Sequence, residues 1–310
     1  MIFDSSTFQD EKFSWKAAYC LAHASYLAYH EDQEQVKSEF CMALPDAIEV
    51  QPFAVATTEG VLVEKEKALI LTFRGTKGRA DWVYNFKTRQ IRSWFEYPGK
   101  VHSGFHEALN HVWKTVVGPA IDSAYRDNKK IYLAGHSLGG ALCILTAARI
   151  AKKYRADLVG GIYTYGQPKV GNQAFVNYFK KHFADQYFRF VYNKDIVARI
   201  PPKGYEHCGN LYHFGEDGEL QQTRGMFESI IGEEELTEEE FTRFQIEMLA
   251  DDVRADIAAT RNSDLESMPS PSQVFGVEDH SLIYKYLPAI REMYEQEGQG
   301  EGPLSETDFT

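Results

Sequence analysis

The sequence predicts an α/β protein: a mostly parallel central sheet with helices on both faces. Three observations predict it. Apolar runs of strand length recur along the chain, at 67–73 (KALILTF), 131–134 (IYLA), 161–165 (GIYTY) and 187–192 (YFRFVY). Runs of that kind suit strands buried on both faces. Helical stretches lie between them, at 103–127, 141–150 and 173–183, and alternation of the two element types implies parallel strands joined by covering crossovers. The composition, 44% hydrophobic and 25% charged over 310 residues, is that of a globular chain with a sizeable core.

The elements follow in order. From Ser14 to Tyr29 and on to about Met42, Trp15, Tyr19, Leu21 and Tyr26 repeat near the 3.6 spacing of helices. Residues 47–57 and 61–74 read as two strands separated by Glu59-Gly60. After the central strands and helices, Tyr212 to Phe214 and the residues near Leu220 form a hairpin around Gly218. Next comes an insert. Thr237 with Glu240 three residues on makes a capping box. Phe241, Phe244, Met248, Leu249 and Ile257 then share one face, which predicts an amphipathic helix from Glu238 to about Thr260. The stretch SDLESMPSPSQVFG that follows reads as a loop. The organisation expected is one domain over 1–294, with an acidic helical insert at about 216–276 and a disordered acidic tail at 295–310.

Charge is spread unevenly. The net charge is −12, yet residues 216–279 carry eighteen acids against four Arg, and 295–310 carry five acids and no base. The remainder is therefore net basic by +7. Acidity confined to an insert and a tail does not point to nucleic acid as a partner. The four cysteines, Cys20, Cys41, Cys143 and Cys208, form neither a disulfide framework nor a zinc pattern, and no other metal-ligand set appears. Asp4, Asp10 and Glu11 stand where a signal peptide has a basic region and an apolar core, and no apolar run reaches the ~20 residues of a membrane span. A soluble, cytoplasmic protein is expected.

The stretch 131–150 turns from strand to helix through Gly135-His136-Ser137-Leu138-Gly139-Gly140. Glycines around one serine let a strand bend sharply into a helix, leaving Ser137 at the tip of a strained elbow. The helix N-terminus beneath it supplies backbone N–H groups for an oxyanion, which is what a nucleophile attacking an ester needs. In a sheet of that kind the acid follows a later strand and the histidine follows the acid. Asp195 comes three residues after the run ending at Tyr192. Of ten histidines only His207, His213 and His280 lie beyond it. His207 sits in an irregular loop and His213 within a short strand. His280 opens a helix-like run directly after a loop, so it is the favoured base. The oxyanion donors expected are the amide of Leu138 and the amide and hydroxyl of Thr76, in the loop after an early strand. Arg74 beside it is expected to pair with a buried carboxylate.

Together these residues resemble the fungal-type triacylglycerol lipase family (lipase class 3). Its motifs stand here in order: FRGT at 73–76, VHSGF at 101–105, GHSLGG at 135–140, TYGQPKVG at 164–171, NKDIVARIPP at 193–202 and DHSLIY at 279–284. The resemblance implies an α/β-hydrolase fold, hydrolysis of carboxylic esters of lipids, and no cofactor. It places the nucleophile on Ser137, the acid on Asp195, the base on His280 and the oxyanion donors on Thr76 and Leu138. A phospholipase A1 or galactolipase is the neighbouring alternative, because loops set the head group. A non-catalytic lipase-like scaffold is a third, against which the intact triad speaks.

The resemblance also implies a lid over about residues 77–100, with Trp82, Trp94 and Phe95 at the substrate entrance. That segment interleaves six bases with six aromatics against Asp81 and Glu96 alone. Such a pattern suits a surface that meets anionic lipid, and it equally suits aromatics packing a lid onto the body.

Overall fold

A computed structural model of the chain describes residues 5–8, 13–75, 89–93, 96–224, 237, 239–243 and 278–298. The first helix, α1, runs Trp15–Leu27, and the Ser14 side chain caps it by accepting from the Ala17 amide. Helix α2 (Gln33–Ala43) is capped in the same way by Asp32. Three antiparallel strands follow: β1 (Glu49–Val55), β2 (Thr58–Glu64) and β3 (Ala68–Phe73). Here the structure corrects the two-strand reading. Glu59 and Gly60 lie inside β2, the first turn falls at Ala56 with φ 53°, and Lys65–Lys67 divides the second apolar run. The apolar residues on either side of that charged turn hide it in the sequence.

A two-stranded ribbon, β4 (Gln90–Ile91) with β5 (Val101–His102), precedes helix α3 (Ser103–Val112). A π-helical turn at Trp113–Val117 joins α3 to α4 (Gly118–Arg126). The alternating half then begins with β6 (Lys130–His136) and α5 (Leu138–Lys153). It continues through β7 (Val159–Tyr165), α6 (Gln173–Phe183) and β8 (Tyr187–Tyr192). The hairpin β9 (Asn210–Phe214) and β10 (Leu220–Arg224) follows, and α7 (Leu287–Gly298) closes the described chain.

One eight-stranded sheet takes the order β1-β2-β3-β6-β7-β8-β9-β10, with every pairing from β3 to β9 parallel. Strands β3, β7 and β8 are buried along their whole length, as the apolar runs require. On one face α3, α5 and α6 pack through Leu109, Leu142, Leu145 and Phe179. On the other, α1 and α7 cover an aromatic layer in which Phe13 stacks on Tyr212 at 4.4 Å and Trp15 meets Phe190. Among the described residues no helix is long and apolar enough to cross a membrane. The capping box of the insert is present: the Glu240 amide donates to the Thr237 hydroxyl at 3.1 Å, and the Thr237 amide donates to the Glu240 carboxylate at 2.8 Å. Residues 239–243 are helical and Phe241 is buried. The rest of the predicted insert helix and the acidic tail beyond Gly298 lie outside the described residues.

Candidate active site

Parallel strands end on one side of the sheet, and loops leaving those ends converge there. Strand β6 ends at His136 and α5 begins at Leu138, so Ser137 alone makes the turn. Its φ is 58° and ψ −129°, a conformation that costs a non-glycine residue about 1–3 kcal/mol and persists only where the surroundings impose it. They do. A Cβ on Gly139 would stand 2.2 Å from the Phe73 carbonyl oxygen, and one on Gly135 would stand 2.3 Å from the Gly139 backbone. The Ser137 amide donates to the Tyr165 carbonyl at 2.9 Å, which pins the elbow to β7. Leu138 is the first residue of α5, so its amide has no acceptor within the helix and is one of the donors at the positive end of the helix dipole.

Asp195 is fully buried in the loop after β8. One carboxylate oxygen accepts from the Val197 amide at 2.9 Å. The other accepts from His280 Nδ1 at 2.9 Å and from the Tyr286 hydroxyl at 2.6 Å. A carboxylate with three donors is satisfied without water. His280 ends a short 3-10 turn, Glu278–His280. That turn rests against the elbow: His136 Nε2 donates to the His280 carbonyl at 2.7 Å, and the two rings lie 4.4 Å apart. Gly166, with φ +57°, fits between the partners. A Cβ there would come within 2.6 Å of Asp195 Oδ2 and 2.8 Å of His280 Nδ1.

Behind the elbow His136 Nδ1 accepts from the Tyr29 hydroxyl at 2.9 Å. His136 therefore carries its proton on Nε2. Burial, and then the neighbouring His280, hold it well below the usual histidine range, so it stays neutral. Burial and then the Asp195 charge push the Tyr286 hydroxyl far above the usual tyrosine range, which keeps it a donor.

The structure thus brings together three predicted residues, Ser137, Asp195 and His280, with Leu138 beside them. His213, the competing base, is held elsewhere: its Nε2 donates to the Asn193 carbonyl at 2.9 Å. His207 is half-buried and donates to the Ala198 carbonyl. Thr76, Trp82, Trp94 and Phe95 lie outside the described residues. Arg74 pairs with Glu59, whose side chain is 41% exposed, so the carboxylate is not the buried one expected. Strand β2 carries Glu59 at the sheet's antiparallel end, where solvent reaches it. Among the described residues no group of three or more His, Cys, Asp or Glu could hold a metal ion. Sequence reasoning missed Tyr29, His136, Gly166 and Tyr286. The signal for Gly166 was its place directly after a strand, in TYGQPKVG.

The comparisons with known proteins agree with this architecture. The family model for lipase (class 3) matches residues 70–205, a span that holds Ser137 and Asp195 but not His280. Triacylglycerol lipase OBL1 of Arabidopsis thaliana is 30% identical over 211 residues, covering 52% of this chain and 39% of that protein. A lipase of Rhizomucor miehei is 31% identical over 158 residues, covering 48% and 42%. The chain therefore spans less than half the length of these curated relatives. The crystal structure of a lipase from Rhizopus microsporus var. chinensis superposes with a TM-score of 0.55 at 24% identity, over 65% of this chain and 76% of that one. The fold is an α/β-hydrolase, and the resemblance to the fungal-type class 3 lipases carried by the motifs is what these matches show.

Proposed function

We propose that this chain is a serine carboxylic-ester hydrolase, cleaving acylglycerols or related lipid esters through an acyl-enzyme. The observation that carries the reading is the Asp195–His280 hydrogen bond, formed across 85 residues of chain beside a serine in a strained elbow. With Nδ1–H committed to Asp195, Nε2 of His280 is the basic nitrogen. In this reading it takes the Ser137 proton as Oγ attacks the ester carbonyl. The oxyanion is received by the Leu138 amide and by Thr76. The tetrahedral intermediate then collapses, and His280 returns the proton to the leaving alcohol. Water, deprotonated by the same nitrogen, releases the acid and restores Ser137. Names of the relatives, triacylglycerol lipase and lipase, support acylglycerols as the substrate class.

The test is labelling by a fluorophosphonate probe together with turnover on p-nitrophenyl esters, triacylglycerols, phospholipids and galactolipids. Labelling and turnover that vanish in Ser137→Ala support the reading. A parent protein inert toward all four substrate classes overturns it. Preference within the panel decides between an acylglycerol lipase and a phospholipase A1 or galactolipase.

The basic, aromatic segment at 77–100 supports a lipid–water interface as the place of action. Binding to anionic vesicles is expected to exceed binding to neutral ones, to weaken as salt rises, and to drop when Lys87, Arg89 and Arg92 become Gln. Cosedimentation measures it. Binding indifferent to salt and to those three charges would leave the aromatics as packing groups only.

A further inference from the structure

His280 follows the long insert directly, and its turn contributes only three residues of regular structure. On its C-terminal side Ser281 caps a π-helical turn, Leu282–Tyr286, that runs on into α7. No regular element frames its N-terminal side among the described residues, and a base displaced by about 1 Å loses on the order of 10²-fold in rate. Something must hold the turn. The neighbouring residue, Asp279, is 8% exposed. Its Oδ2 accepts from Asn193 Nδ2 at 3.0 Å and from the Lys194 amide at 3.3 Å. Both donors belong to the loop that ends in Asp195.

That loop is itself braced. The Asn193 amide donates to the Phe214 carbonyl at 2.7 Å, and the Asn193 carbonyl accepts from His213 at 2.9 Å. Asn193 sits at φ +42°, where asparagine is tolerated better than most residues. Its side chain is thus delivered from a fixed backbone. A continuous path runs from β9 through Asn193 to Asp279, one residue from His280.

We infer that Asp279 is a positioning residue, whose carboxylate latches the turn bearing His280 onto the loop bearing Asp195 through Asn193 and the Lys194 amide. The inference rests on the triad reading above and deepens it. It also explains His213, which braces the donor side of the latch through the Asn193 carbonyl rather than serving as a base. Ionisation of this carboxyl is not itself a source of stability. Burial raises its pKa above the usual aspartate range, with the Asp195 charge adding to the rise and Lys285 and the Lys194 amide opposing it. A carboxyl whose folded pKa is raised makes the folded state less stable once it ionises. The charge at this position therefore opposes folding at neutral pH.

The test uses the full chain and a soluble short-chain ester. Asp279→Ala removes the acceptor. Asn193→Gly removes the side-chain donor, leaving the Lys194 amide, while keeping a residue that accepts positive φ. Each is expected to lower kcat about 10–100-fold with KM within about twofold, and fluorophosphonate labelling should slow in parallel. The double variant should be no slower than Asp279→Ala alone, since one latch is broken only once. Asp279→Asn keeps an acceptor without the charge, so it should recover at least about tenfold of the Ala loss without lowering Tm. Unchanged kcat in Asp279→Ala would overturn the inference. So would losses that multiply in the double variant, or a Tm that falls in Asp279→Asn with no recovery of rate. Hydrolysis that survives Ser137→Ala would instead overturn the triad reading itself.

Discussion

The elbow around Ser137 and the turn around His280 reach the same spot by opposite means. At the elbow, β6 and α5 are long, buried elements, and tight glycine contacts leave the backbone one route between them. Ser137 is placed chiefly by the two elements that flank it, with β3 packed against Gly139 and the Tyr165 carbonyl holding its amide. The His280 turn is framed on one side only, by the π-helical turn Leu282–Tyr286 that leads into α7. It is fixed by bonds from distant residues: His136 to its carbonyl, Asp195 to its ring, and Asn193 with Lys194 to the residue before it. The proposed nucleophile thus rests mainly on the elements that flank it, the proposed base more on contacts scattered over the chain.

Removing the reacting groups is the strongest way to test that contrast. Ser137→Ala and His280→Ala should each reduce kcat by about 10⁴–10⁶-fold, to similar residual rates, because the members act as a unit. Thermal melts should show both variants folded. His213→Ala should keep far more activity, and equal loss in a folded His213 variant would move the base. If its hydroxyl serves the oxyanion, Thr76→Ala is expected to lower kcat by about 10–1,000-fold with less change in KM, and Thr76→Ser should keep most of the rate. Equal loss in both would assign Thr76 to packing.

Smaller effects separate the two regions further. Tyr286→Phe leaves Asp195 one donor short and should cost about 1.5–3 kcal/mol of stability, the range for a hydrogen bond to a charge. Urea titration at neutral pH measures it. Acid is the mildest probe. Burial lowers the pKa of His102 to about 4, and His136 and His207 also lie well below the usual range. Below about pH 6.5 the unfolded chain binds protons that these rings refuse, so stability should fall as pH drops from about 6.5 towards 4. His102 alone accounts for about 3 kcal/mol of that loss. His102→Asn retains an acceptor for the Phe105 amide that His102 now caps, and should flatten the profile.

The same contrast explains what could be read from sequence. Helix α6 and strand β8 stand where periodicity and apolar runs put them, because both are packed against the sheet they belong to. The elbow was legible for a like reason: the glycines and the serine are consecutive. Asp195 was found from its distance to a strand end, and His280 by elimination among three histidines. Tyr29 and Tyr286 were not legible as site residues. Each looks like one more helical aromatic, and only the fold shows one bonded to His136 and the other to Asp195. The turn at Lys65–Lys67 was missed because apolar residues on both sides hid a charged break.

Fixing the base through lateral bonds also sets how freely the chain between β10 and that base can change in length. For a flexible connection, doubling its length adds only about 0.6 kcal/mol of closure entropy, less than one hydrogen bond to a charged carboxylate contributes. A change in the length of the chain between β10 and this turn therefore costs less than the bonds that hold the turn, provided that Phe241, which is buried in the core, is kept.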